Sequence, residues 1–173
     1  MGPNLTNLAF SFLVDFFQSF ASGSSFDQLW PQLQDRMITL SQAVILLGSS
    51  VGSLIETSIG DIKEVMVEVG SIQDALGVGK DLTDVPLRFC WEGIRFVNQS
   101  FSELSALTLP LLNVKMNEKN LLRDMATIGV GVLTLEHRFK GLEVLLRTIE
   151  SEYMSHFVRL NTLYPFGSGG AGN

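Results

Sequence analysis

The sequence predicts an all-α protein, an elongated helical bundle or coiled coil with two long helices. Three observations carry that expectation. Between Leu121 and Leu160, mostly apolar residues recur at 4-3 spacing: Leu121, Met125, Ile128, Val132, Leu135, Phe139, Leu142, Leu146, Ile149, Tyr153, His156 and Leu160. A 3.5-residue repeat keeps one stripe of a helix against a neighbour, and the segment Leu121–Leu160 would make a helix about 60 Å long. Residues 31–76 supply a second long helical pattern, and neither strand alternation nor an internal repeat stands out. Together these place a single helical domain over residues 1–166, followed by a flexible Gly-rich tail at 167–173.

The first element is an amphipathic helix over residues 4–20. Leu5, Leu8, Ala9, Phe12, Leu13, Phe16, Phe17 and Phe20 recur at helical spacing, opposite Asn7, Ser11, Asp15 and Gln18. Phe12, Phe16, Phe17 and Phe20 form its docking face, directed either at the domain's own core or at a partner groove or membrane surface. Membrane-surface helices usually carry Lys or Arg on the polar face, and this one has neither.

Ala21–Ser25 breaks the pattern, and Pro31 is expected to open a helix running to Leu76. No charge lies between Arg36 and Glu56, and the run Met37–Ile55 is long enough to span a bilayer. Its Gly48-Ser-Ser-Val-Gly52 stretch resembles the small-residue spacing at which membrane helices approach closely. The serines within it, and the charged heptad-like continuation at Ile59, Ile62, Met66 and Val69, favour burial in a bundle instead.

Gly77–Asp81 is expected to stop this helix, because glycines after the last periodic residue favour a left-handed cap. A shorter helix follows at 87–107, with Phe89, Ile94, Phe96, Val97, Phe101 and Leu104 as its apolar positions. Pro110 and the polar Asn113–Asn120 stretch form the next connection. The long heptad helix occupies 119–164.

In heptad terms Met125, Val132, Phe139, Leu146, Tyr153 and Leu160 are a positions, and Leu121, Ile128, Leu135, Leu142 and Ile149 are d positions. This seam is read as the packing or oligomerisation surface. Phe139 and Tyr153 are bulky for a two-stranded coil. Leu122, Val130, Val144, Leu145, Met154, Phe157 and Val158 lie off the seam, so a bundle with several neighbours fits better. Gly129, Gly131 and Gly141 are expected to admit a close neighbour such as Gly48–Gly52. His156, also at d, reads as a core-edge imidazole near Glu152 or as a protonation switch.

Composition narrows the function classes. The chain has 173 residues, 46% hydrophobic and 17% charged, with a net charge of −6. Its twelve Lys and Arg are scattered, so nucleic acid is not an expected partner. The lone Cys90 allows no internal disulfide, which suits a reducing compartment or a virion-like assembly. The N-terminus lacks the basic region of a signal peptide, and Asp15 breaks its apolar run. Its Met-Gly start matches a loose myristoylation pattern, with Pro3 a poor context. Two Asn-x-Ser/Thr sequons, at Asn4 and Asn98, read as chance matches without a signal peptide.

Signatures of catalysis are weak. Gly48-Ser49-Ser50-Val51-Gly52 satisfies Gly-x-Ser-x-Gly, with Asp84 and His137 or His156 in hydrolase order, but the surroundings read as helix. Gly79-Lys80 lacks the rest of a phosphate loop, and one Cys with two His makes no zinc set. Glu64/Glu68 and Glu150/Glu152 read as solvated helix charges. The expectation is therefore a non-enzymatic structural or assembly protein without a cofactor. Its partners would be copies of itself or another helical protein. The alternative is a membrane-active protein that inserts residues 37–55 and its first helix into lipid.

Overall fold

The computed structural model describes residues 5–76, 84–113 and 116–163. Among them are four α-helices and no strand: α1 (Leu5–Ala21), α2 (Phe26–Leu76), α3 (Asp84–Leu112) and α4 (Leu121–Leu163). The fold is all-α, and the long helices α2 and α4 pack in a bundle. The expected stop at Gly77–Asp81 and the tail at 167–173 lie outside the described residues.

Helix boundaries follow local chemistry that hydropathy does not report. α2 opens five residues before Pro31, because Ser25 and Gln28 form a reciprocal cap. The Ser25 N–H donates to Gln28 Oε1 at 3.0 Å, and the Gln28 N–H donates to Ser25 Oγ at 3.4 Å. Pro31 is carried inside the helix at the loss of one backbone hydrogen bond. α3 likewise runs past the expected end at residue 107 and contains Pro110. A 3-10 turn at Glu118–Asn120 leads into α4, capped by Asn117, whose side chain accepts from the Asn120 N–H at 3.0 Å.

The chain forms two compact units. The first comprises Met1–Val51 and Phe101–Gly141, the second Gly52–Ser100 and Leu142–Asn173. In the first, α1 joins the N-terminal part of α2, the C-terminal part of α3 and the N-terminal part of α4. Its core includes Phe12, Leu33, Leu40, Val44, Leu104, Met125, Ile128, Val132 and Phe139. Two glycines of α4 set the spacing here. A Cβ at Gly129 would lie 2.6 Å from Leu13 of α1, and one at Gly131 would lie 2.5 Å from Leu111 of α3. The close neighbours of these glycines are thus leucines, not the Gly48–Gly52 stretch; Gly48 instead faces the Phe139 ring.

The second unit is three-helical, with Val65, Leu87, Cys90, Ile94, Val97, Leu142, Leu146, Ile149 and Tyr153 in its core. Two expectations change here. The buried row of α2 is Ile55, Ser58, Ile62 and Val65, with Ile59 and Met66 only half-buried. Hydropathy overlooks that row because Ser58 belongs to it. On α3 the core residues are Leu87, Cys90, Ile94 and Val97, while Phe89 and Phe96 are 74% and 60% exposed.

The glycines yield a stability prediction. Gly141, expected to admit a close neighbour, instead has open space where a Cβ would go. Gly141→Ala is therefore expected to stabilise the protein by about 1 kcal/mol through helix propensity. Gly131→Ala gains the same propensity but must displace Leu111, an overpacking cost of roughly 1–3 kcal/mol. Urea midpoints should rise for the first and stay level or fall for the second.

Candidate functional site

The predicted seam is buried by the chain's own helices. Leu121, Met125, Ile128, Val132, Leu135, Phe139, Leu142, Leu146, Ile149 and Tyr153 are all core residues. His156 is half-buried, and the Leu160 side chain lies outside the described set. The off-seam residues Leu122, Val130, Val144, Leu145, Met154 and Val158 are exposed and do not supply the extra packing expected of them. Any contact with a second molecule at the seam would have to displace this internal packing.

The docking helix divides differently from its prediction. Leu5, Ala9, Phe12 and Phe16 of α1 are buried, with the Phe12 and Phe16 rings 5.2 Å apart. Phe20 is half-buried, and Phe17 faces outward. With Phe10 and Val14, Phe17 forms an outer stripe at i, i+4 and i+7, at 54%, 46% and 48% exposure in chain order. The helix is thus apolar on two faces, and its own bundle covers one.

α1 is fastened by three local contacts besides that burial. Leu13 sits over Gly129. Thr6 Oγ1 donates to Glu136 Oε1 at 2.7 Å, and Lys140 Nζ meets the same oxygen at 2.8 Å. Arg36 pairs with Asp15 at 2.5 Å on the surface, where such pairs add little. Glu136 is only 3% exposed, yet its other oxygen, Oε2, is buried without a hydrogen-bond partner. Leaving a polar atom in that state costs stability.

The uncharged run of α2 is covered on one side only. Leu40, Ala43, Val44, Val51 and Ile55 are buried, whereas Ile38, Ile45 and Leu46 are each more than half exposed. By length and composition, the segment Phe26–Glu68 could cross a membrane.

In the second unit Ser58 Oγ donates to Glu150 Oε1 across the α2–α4 contact. Cys90 lies buried, and burial followed by the Glu152 charge raises its thiol pKa, disfavouring the reactive thiolate. Burial also pushes the Tyr153 phenol up to about 12, with the carboxylates of Glu150 and Asp61 adding to the effect. The pH consequence has a definite sign. Below pH 10 the phenol is neutral whether the chain is folded or unfolded, and its stabilising contribution is complete. From pH 10 to about 12 the unfolded chain loses the proton first, so stability falls by roughly 2–3 kcal/mol. Tyr153→Phe should remove that part of the alkaline loss, as read from urea midpoints across this range.

The hydrolase pattern does not form its strand–turn–helix. Ser50 is an exposed residue within continuous α2. Glu64 and Glu68 are exposed, as is Glu152, while Glu150 is the half-buried acceptor of Ser58. Among the described residues no group of three or more His, Cys, Asp or Glu is arranged to hold a metal. The surface stripe and the polar Ser58–Glu150 contact were both missed from sequence. The first has a signal in the i, i+4, i+7 spacing of Phe10, Val14 and Phe17; the second has none. Compared with protein-family models, curated proteins and solved structures, the chain finds no match.

Proposed function

We propose that this is a non-enzymatic assembly protein that associates with copies of itself, or with another helical protein, through helix faces. The observation that carries this reading is the outer stripe of α1, where Phe10, Val14 and Phe17 stand about half exposed in one row. Apolar surface in such an ordered row gains free energy when a second helix covers it. α4 serves in this reading as the coiled-coil-like spine on which α1 is presented.

A protein partner suits the stripe better than lipid. α1 contains no Lys or Arg, and the chain's net charge of −6 opposes approach to an anionic bilayer. The outward Ile38, Ile45 and Leu46 of a bilayer-length segment favour membrane association as the second reading.

Light scattering on a sizing column, in detergent-free buffer and at rising protein concentration, separates the two. Neutral and anionic vesicles are offered in parallel. Discrete multiples of the 19.0 kDa chain that ignore the vesicles support assembly. Capture by vesicles supports the membrane reading.

A further inference from the structure

We propose that α1 is exchangeable between copies of this chain: it opens at Gly23 and docks in the same groove of a second molecule. The inference rests on the assembly reading for its choice of a second copy as partner; it uses the buried face of α1 and leaves the outer stripe Phe10, Val14 and Phe17 free.

The link between α1 and α2 is Ser22–Ser25. Gly23 has φ +84°, the one positive φ among the described residues. Its N–H donates to the Phe20 carbonyl at 3.1 Å, and the Ser24 N–H donates to the Ser19 carbonyl at 3.1 Å, a glycine-stopped helix end. Moving Gly23 to a helical φ and adjusting its neighbours would join α1 to α2 in one continuous helix. That movement carries α1 away from its own groove and leaves the groove open.

The groove is already complementary to a known occupant, α1 itself. A second copy's α1 would re-form every contact of the closed chain: Leu13 over Gly129, Thr6 on Glu136 and Asp15 with Arg36. Exchange of an identical element is therefore an economical route to a dimer. The groove side of the closed state has one unsatisfied atom: Thr6 of α1 bonds Glu136 Oε1, while Oε2 of the same carboxylate is buried without a partner. Against opening stand the capped turn and the burial of Leu5, Ala9, Phe12 and Phe16, so exchange should be slow.

A disulfide across the groove reads the exchange directly. Leu13 Cγ lies 2.7 Å from the Cβ position at Gly129. One further carbon–carbon bond puts the two Cβ atoms no more than about 4.2 Å apart, within reach of a disulfide. The full chain carrying Leu13→Cys, Gly129→Cys and Cys90→Ala is incubated reduced, dilute or concentrated, then oxidised. Non-reducing gels and peptide mapping show whether each 13–129 link joins one chain or two. Links within one chain should dominate the dilute sample, and links between two chains should grow in the concentrated one. Adding Gly23→Ala, which penalises the left-handed turn, should raise the two-chain share on the order of tenfold.

Links confined to single chains at every concentration would overturn the proposal, even where light scattering reports oligomers. That combination leaves assembly standing and removes exchange. Monomers by both methods would remove both. If the Gly23→Ala chain does not fold, the chain retaining Gly23 still decides the question through its concentration dependence.

Discussion

Replacing Phe139 by Ala is expected to cost about 3–5 kcal/mol of stability, the range for truncating a large buried aromatic. Its ring is 1% exposed, sits 5.8 Å from that of Phe101, and faces Gly48. The small Gly48 cannot move inward to refill the space, so a cavity remains. Tm should fall by roughly 6–20 °C. The control is the same substitution on the outside. Phe89→Ala and Phe96→Ala remove rings that are 74% and 60% exposed, and each should change stability by about 0.5 kcal/mol or less. Equal losses for inner and outer phenylalanines would contradict the core assignment.

The second large effect is on association. In the paired variant Phe10→Glu and Phe17→Glu, the closed chain should keep its fold, because both rings already stand about half in water and Glu is a good helix former. Assembly should weaken strongly. About 100 Å² of exposed surface on each ring, at about 25 cal/mol per Å², corresponds to about 2.5 kcal/mol per ring. Each loss exceeds a tenfold change in affinity, and the introduced carboxylates add a desolvation cost. Helicity by circular dichroism should be unchanged while the association midpoint moves at least about a hundredfold to higher concentration.

The heptad pattern was the most legible part of the molecule. From Leu121 to Tyr153 the 4-3 spacing names the buried row of α4, because a persistent apolar stripe has to be covered. Spacing does not say whose helices provide the cover, and here α1, α2 and α3 of the same chain do so in their respective units. Single hydrophobic residues were less informative. Phe89 and Phe96 look like core residues by type yet face water, while Ser58 is fully buried with its hydroxyl donating a hydrogen bond to Glu150. Helix ends depended on polar side chains: the Ser25–Gln28 cap moved the start of α2 ahead of a proline that looked like its first turn. The surface of α1 was half legible. Its phenylalanine spacing announced an apolar helix, but only packing against Gly129 and Glu136 decides which of its two apolar faces is spent.

The most direct test measures molar mass by light scattering for the native chain and the Phe10→Glu/Phe17→Glu pair, side by side over the same concentrations. A native chain that forms a discrete oligomer on concentration, beside a folded variant that stays at 19.0 kDa over the same interval, before slow exchange of α1 sets in, is the predicted result. A native chain that remains monomeric throughout, or a variant that assembles equally well, would contradict the assignment of the α1 stripe as the assembly surface.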